Sequence, residues 1–369
     1  MGDKYISIVS NNFWTIYKFR HDVVKMFIEE GYHINLIAGD DSYIDKFNHP
    51  RIKKIPIPMN ERGINFFEEF KTFIEIYKSH KLFKPNLVFN FTLKANIYSG
   101  IACRFLNIKY ISMVTGLGHI FIGKKIITKY VIKFLLSLSL KKSLEIWFTN
   151  NFDRIYYEDN KINISQVTKI VPGAGADFKT NKPMRLRNNK MISFIMVARL
   201  LKEKGVEEYI NMATHFKDDA NLQFILLGSH KNEKSYISKA ILDKSINDKI
   251  IDYHDYQEDI LPFMEKSSCV VLPSYREGMS TILLEAGALK IPIITTKVPG
   301  CIDIIPNESY GTLCEACSTL SLIKAISRYM ILSENELKDQ TLKVYNHIRD
   351  NYSRTKVLEI YKNSLKYID

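Results

Sequence analysis

What the chain lacks narrows it first. No apolar run approaches the roughly 18 residues that a membrane-crossing helix needs. The longest, Phe134 to Leu140, stops at Lys141-Lys142. The first strand is expected from Lys4 or Tyr5, which leaves no room for a signal peptide ahead of it. Cysteine is scarce: Cys103, Cys269, Cys301, Cys314 and Cys317 form an odd, scattered set that fits reduced cytosolic thiols better than a disulfide framework. Cys314-Glu315-Ala316-Cys317 is a single CxxC without a second pair, so ordinary thiols are favoured there over a zinc or redox site. Asp-x-Asp, a spacing that can hold Mg²⁺ or Mn²⁺ against a diphosphate, occurs nowhere. Nor does Gly-x-Gly-x-x-Gly follow the first strand, which sets aside a dinucleotide-dependent dehydrogenase.

One further absence is local. From Ile76 to Leu144 there is no acidic residue, against twelve Lys and Arg. Residues 1–180 carry 26 basic and 16 acidic side chains, a net +10, whereas the remainder carries 26 and 24, a net +2. An acid-free stretch in a folded domain gives a positive surface suited to anionic lipid, pyrophosphate or nucleic acid. Nucleic acid is the weaker choice, because no helix-turn-helix, zinc-finger or RNP-type pattern accompanies the charge.

What is present is globular. With 46% apolar and 25% charged residues over 369 positions, two domains of ordinary size are expected. Apolar β runs alternate with helical patterns, which indicates βαβ units and mostly parallel sheets. Strands are expected at 5–10, 33–38, 54–57, 87–89, 110–114, 146–149 and 169–171, then at 192–197, 223–227, 250–253, 269–272 and 293–295. Helices are expected at 16–30 and 66–81, and residues 319–369 read as three helical segments. The division falls where Pro172-Gly173-Ala174-Gly175 meets a polar, basic stretch. This gives a first domain at 1–172, a linker at 173–190, a second domain at 191–350 and a terminal helical piece at 351–369.

Two segments of the second half carry chemistry. Pro273-Ser274-Tyr275-Arg276-Glu277-Gly278-Met279-Ser280 leads from an apolar strand into a helix holding Glu285. Unpaired N–H groups and the helix dipole converge at such a turn and favour an anion, while carboxylates favour hydroxyls such as those of a ribose or hexose. Upstream, Met196-Val197-Ala198-Arg199-Leu200-Leu201-Lys202-Glu203-Lys204-Gly205 places Arg199 and Lys204 on a loop after a parallel strand, where doubly wound folds bind ligands. Two cations there suit a diphosphate.

Together these segments resemble the C-terminal half of glycosyltransferase family 4, which has an Arg…Lys pair and a Glu-x7-Glu motif in this order. The resemblance implies an α/β fold of the GT-B class: two Rossmann-like doubly wound domains facing a central cleft. It implies a retaining transfer in which Arg199 and Lys204 support the leaving diphosphate and Glu277 lies near the donor sugar. The backbone of Gly278, Met279 and Ser280 would face the donor, and Glu285 would accept from ribose hydroxyls. No metal or other cofactor is expected, since cationic side chains take the place of one.

The first half resembles the family less. Where many members have a Gly-Gly loop, Ser10-Asn11-Asn12-Phe13-Trp14 stands, followed by Tyr17-Lys18-Phe19-Arg20. This, with Thr115-Gly116-Leu117-Gly118-His119, is similar to a bacterial subgroup that adds acetamido sugars to undecaprenyl-diphosphate-linked saccharides. It implies an acceptor side at Ser10, Asn11, Arg20, Gly116, Gly118 and His119, with His119 contacting or orienting the acceptor; a loop histidine without a role is the alternative. Lys290 stands where a C-cap glycine is usual, and Asp303 takes the acidic position of a Gly-containing loop. Ile122 to Lys142 reads as a helix in which Lys125, Lys129 and Lys133, with Lys124 nearby, form a basic stripe beside an apolar surface. Such a helix could rest on an anionic bilayer at about 1 kcal/mol per basic residue; solvated lysines beside a core-facing end are the alternative.

The expectation is therefore a cytoplasmic enzyme, peripheral on the inner face of a bacterial plasma membrane. It moves a hexose or N-acetylhexosamine, GalNAc being favoured by the subgroup resemblance alone, from a UDP-sugar to a polyprenyl-diphosphate-linked saccharide. Its partners would be the nucleotide sugar, the lipid-linked acceptor and the anionic membrane, not nucleic acid. A non-hydrolysing UDP-sugar epimerase of the same fold is the rival enzyme. A basic lipid- or nucleic-acid-binding module is the rival without catalysis, and it leaves Arg199, Lys204, Glu277 and Glu285 without a purpose.

Overall fold

The structure, a computed structural model, describes residues 4–59, 65–116, 126–162, 167–178, 184 and 191–368. The chain forms two compact units: Met1–Ala174 together with Thr355–Asp369, and Gly175–Arg354.

The first unit is a parallel sheet flanked by helices. Its strands are β1 (Tyr5–Asn12), β2 (His33–Gly39), β3 (Ile52–Ile57), β4 (Leu87–Phe91), β5 (Tyr110–Val114), β6 (Glu145–Phe148) and β7 (Val167–Ile170), in the order β3-β2-β1-β4-β5-β6-β7. The connecting helices are α1 (Phe13–Glu29), α2 (Phe66–Phe83), α3 (Leu93–Leu106), α4 (Ile126–Leu140) and α5 (Asn151–Asp159). The chain winds outward from β1 to β3 and returns at β4, so the carboxyl ends of β1 and β4 mark a topological switch point. No described helix is long and apolar enough to cross a membrane.

One feature differs from the sequence expectation. Residues 10–14 are not a loop: β1 continues to Asn12 and α1 begins at once at Phe13. Asn12 makes this possible, because its side chain accepts from the Thr15 N–H at 2.9 Å and caps the helix. The basic helix is described over Ile126–Leu140, and its expected first residues, 122–125, lie outside the described residues.

The second unit repeats the architecture with β8 (Ile192–Val197), β9 (Leu222–Leu227), β10 (Asp252–His254), β11 (Cys269–Leu272), β12 (Ile293–Thr296) and β13 (Thr312–Cys314). All pair in parallel, in the order β10-β9-β8-β11-β12-β13, so β8 and β11 form the switch point here. Helices α6 (Val206–His215), α7 (Lys239–Asn247), α8 (Leu261–Lys266), α9 (Thr281–Ala288), α10 (Thr319–Ile331) and α11 (Glu334–Tyr352) surround the sheet. The short β13 has no counterpart in the sequence reading; three residues carry too little periodicity to register.

The terminal helix α12 (Arg354–Ser364) returns the chain to the first unit. Tyr361, fully buried, meets Trp147 edge-on at 4.9 Å and lies near Phe27, Phe89 and Phe91. Val357, Tyr361, Leu365 and Ile368 of this segment are therefore core of the first unit.

Candidate functional site

In the second unit the switch point brings the two sequence motifs together. Lys204 follows β8 and Glu277 follows β11, and the Lys204 ammonium donates to Glu277 Oε1 at 2.6 Å. The Ser274 hydroxyl donates to the same oxygen at 2.7 Å, so one largely buried carboxylate oxygen is held twice. The Tyr275 N–H donates to the Glu203 carbonyl at 2.8 Å, tying the two loops through their backbones as well.

Two glycines allow this closeness. A Cβ on Gly205, whose φ is +73°, would lie 2.1 Å from the Pro273 carbonyl oxygen. One on Gly300, at φ +79°, would lie 2.6 Å from the Glu277 carbonyl oxygen. The Gly300 turn is held by Asp303, whose Oδ2 accepts from the Gly300 N–H at 2.8 Å. The Asp303 carbonyl in turn accepts from the Tyr352 hydroxyl at 2.9 Å. Asp303 thus supports the loop that backs Glu277. Burial, followed by the nearby Glu277 carboxylate, pushes the Cys301 thiol up to about 12, which keeps it a neutral packing residue.

Arg199 is exposed, and its guanidinium has no hydrogen bond or ion pair among the described residues. Gly278 and Met279 are half-buried in the turn, and the Ser280 hydroxyl caps α9 by accepting from the Leu283 N–H at 3.4 Å. The first turn of α9 itself holds no acidic residue. Glu285 lies half-buried further along α9. Ser274 and Gly205 stand in the quoted segments, and Gly300 in the loop before Asp303, but the sequence reading gives them no role. A serine three residues before the first glutamate and a glycine directly after the lysine were the available signals.

The first unit's switch point is built differently. Asn11, near the end of β1, accepts from the Thr92 hydroxyl, after β4, at 2.6 Å. Ser10 is buried, with its hydroxyl unpaired among the described residues. Asn90 on β4 is fully buried, and neither its amide nitrogen nor its oxygen has a partner there. Ser112, its register partner on β5, and Thr149, following β6, are likewise buried and unpaired. The sequence reading missed Asn90, whose signal is a lone amide inside the apolar run Leu87–Phe91.

Arg20 is only 5% exposed. It lies over the Phe91 ring at 4.7 Å and donates to the Phe19 and Gly173 carbonyls at 2.7 and 3.3 Å. The structure thus sets it among core groups. Gly116, two residues after β5, lies in the positive-φ region at 134°. Gly118, His119, Lys124 and Lys125 lie outside the described residues. Lys129 and Lys133 are half-buried, and the outward positions of α4 are Tyr130, Val131 and Phe134. Among the described residues, no group of three or more His, Cys, Asp or Glu is placed to hold a metal ion.

Residues 177–344 match the model of the family described as glycosyl transferases group 1. Along most of its length the chain is 26% identical, over 349 residues and 90% of each chain, to the N,N'-diacetylbacillosaminyl-diphospho-undecaprenol alpha-1,3-N-acetylgalactosaminyltransferase of Campylobacter jejuni. It is 24% identical, over 81% of this chain and 80% of the other, to the UDP-Gal:alpha-D-GlcNAc-diphosphoundecaprenol alpha-1,3-galactosyltransferase of Escherichia coli. Among solved structures, Anabaena HepE in complex with UDP-glucose superposes with a TM-score of 0.78 at 11% identity, covering 98% of this chain and 99% of the other. The fold is GT-B, and the match to the group 1 glycosyl transferase model falls within the second unit.

Proposed function

We propose that this chain, a glycosyltransferase by its second unit, transfers a sugar from a UDP-sugar to a saccharide carried on a polyprenyl diphosphate, with retention at the anomeric carbon. The observation that carries the reading is the contact of Lys204 with Glu277, which joins the loops after β8 and β11 into one site. The acceptor class is supported by the Campylobacter and Escherichia relatives, both of which act on diphospho-undecaprenol-linked sugars by name. An N-acetylhexosamine is the favoured donor sugar, on the first of these alone.

In the reaction the bond between the anomeric carbon and the UDP oxygen breaks, and a bond from that carbon to the acceptor hydroxyl oxygen forms on the same face. The hydroxyl proton passes to the departing phosphate oxygen, and UDP leaves. Charge grows on the diphosphate as this happens, so fixed cations stabilise the transition state more than the ground state. Arg199 and Lys204 supply those cations, and the α9 N-terminus adds oriented N–H groups. Lys204 and Ser274 hold Glu277 beside the donor sugar, and Glu285 takes the ribose hydroxyls. Activity without a divalent metal follows from this assignment of the charge work to side chains. The enzyme would work on the inner face of the plasma membrane, where its acceptor resides.

The test is UDP release by purified protein given a polyprenyl-diphosphate acetamido sugar and a panel of UDP- and GDP-sugars, with and without EDTA. Acceptor-dependent turnover of one donor, unaffected by EDTA, is expected. Isomerisation of a free UDP-sugar without acceptor would replace the reading with an epimerase, and loss of turnover in EDTA would overturn metal independence.

A further inference from the structure

The first unit displays large apolar side chains where a water-soluble surface has little use for them. On the first turns of α2, Phe66, Phe67 and Phe70 are 77%, 81% and 56% exposed. On α4, Tyr130, Val131 and Phe134 are 68%, 51% and 66% exposed. Both helices pack against α3, and Phe73, one turn beyond Phe70, packs against the cluster that contains Ile132 and Leu136 of α4. The two sets therefore belong to one side of the unit. Both lie toward helix N-termini, which follow the carboxyl ends of the parallel strands.

The aromatic presentation is fixed by interior contacts. Glu69 is drawn inward by Lys94 and by the Tyr98 hydroxyl, which donates to Glu69 Oε2 at 2.6 Å. With Glu69, Thr72 and Ile76 turned inward, the helical period turns Phe66 and Phe70 outward. Around the α4 aromatics the charge is positive, since Lys129 and Lys133 flank that face and acids are absent from Ile76 to Leu144; on α2 the exposed Lys71 and Lys81 share the helix with the exposed Glu68.

We infer that the outward faces of α2 and α4 together form a membrane-docking surface, whose aromatic rings enter the interfacial layer of an anionic bilayer while the lysines meet its headgroups. Aromatic rings suit that layer, and basic side chains around an apolar face add attraction to anionic lipid. Positive charge alone would give a binding that salt abolishes; rings in the acyl boundary leave a salt-resistant part. The inference deepens the function proposed above, since a lipid-linked acceptor is reached from the bilayer, and it rests on that reading for its purpose.

Co-sedimentation of the full chain with phosphatidylcholine vesicles, with and without phosphatidylglycerol, tests it. Phe66→Ser/Phe67→Ser/Phe70→Ser and, separately, Tyr130→Ser/Phe134→Ser should each lower partition onto the anionic vesicles about tenfold. Leu320→Ser/Ile331→Ser, at exposed positions of the second unit, should leave it unchanged. A Phe67→Trp variant, read by difference against the native fluorescence, should shift to the blue on anionic vesicles and be quenched by brominated lipid. Unchanged partition of both aromatic variants, or an unquenched Phe67→Trp, overturns the inference. So does a dimer by light scattering that the same substitutions dissolve, which would make the face a contact between copies. Transfer to a short-chain, water-soluble acceptor should be the same in all variants. If no acceptor is glycosylated while the vesicle results hold, the proposed function fails and the docking surface stands.

Discussion

The two sheets share a topology and differ at their carboxyl edges. At the switch point of the second unit, the charged groups meet one another: Lys204 and Ser274 both bind Glu277, and Asp303 holds the turn at Gly300. At that of the first, Ser10, Asn90, Ser112 and Thr149 are buried without partners among the described residues. Arg20 sits among carbonyls and an aromatic ring. One edge pairs Glu277 with its own Lys204 and Ser274 and leaves Arg199 exposed, and the other keeps buried polar groups in reserve. An internally paired edge is pre-organised for a ligand of fixed shape such as a nucleotide diphosphate. An edge with unspent donors and acceptors has stability to gain from whatever supplies the missing bonds.

The strongest way to break this contrast is through activity. Arg199→Ala, Lys204→Ala and Glu285→Gln should each lower UDP release about a hundred- to a thousandfold, the cost of removing one oriented charge or acceptor at a transition state. Thermal unfolding should stay near that of the parent for Arg199→Ala, which is exposed and unpaired among the described residues. Lys204→Ala should also destabilise by about 2 kcal/mol, because it strips a largely buried carboxylate of its cation. Full turnover with Arg199→Ala would remove the guanidinium from the donor site.

Acid should separate the units next. His80, fully buried on α2 and bonded to the Ser99 hydroxyl at 2.8 Å, has its pKa lowered from 6.5 to about 4 by burial. In that window the folded state holds fewer protons than the unfolded chain, so acidification favours unfolding. The contribution is complete above the unfolded value of 6.5 and is lost as pH falls through about 4. It amounts to at most about 3 kcal/mol, and it belongs to the first unit alone, since the histidines of the second are half-buried or exposed. Calorimetry between neutral pH and the folded value should show one transition softening ahead of the other. Two transitions that fall in step would remove His80 as the cause.

The reserve of unpaired groups can be probed directly. Asn90→Leu exchanges two unsatisfied polar atoms for apolar ones of similar volume, so it should stabilise the first unit by about 1–2 kcal/mol. The same change should raise the KM for acceptor if Asn90 is spent on that ligand. A destabilised variant would mean that Asn90 is already satisfied and that the two edges are more alike than their contacts indicate.

This contrast also explains what could be read beforehand. Arg199, Lys204, Glu277 and Glu285 stand in short segments with turn and strand signals, and Lys204 finds Glu277 because β8 and β11 are neighbours in a parallel sheet. The spacing therefore contained the meeting of these two side chains. In the first unit, whether Arg20 faces a ligand or the core depends on where Phe91, Met113 and Gly173 converge, from three separate stretches of chain. No local pattern contains that. The Ser10–Trp14 segment reads as a loop by its place in the family resemblance, but Asn12 spends its side chain on capping α1. The lysine stripe of α4 was visible by period, whereas the burial of its flank, and the aromatics left outermost, depended on packing against α3.

The smallest test asks whether the second unit is as self-consistent as its edge. Lys290 closes α9 at φ 56°, a left-handed conformation that costs a side-chain-bearing residue about 1 kcal/mol and glycine almost nothing. Its ammonium lies 4.8 Å from the centre of the Tyr345 ring, a contact worth about 0.5 kcal/mol at an exposed site. Lys290→Gly relieves the first and forfeits the second, so a net gain near 0.5 kcal/mol is expected, a rise of about one or two degrees in the melting temperature of this unit. Lys290→Ala keeps the strain and loses the ring contact, and should melt lower than the parent. If Lys290→Gly also melts lower, the cation on Tyr345 outweighs the backbone strain, and this helix end is held by a side chain as firmly as Glu277 is.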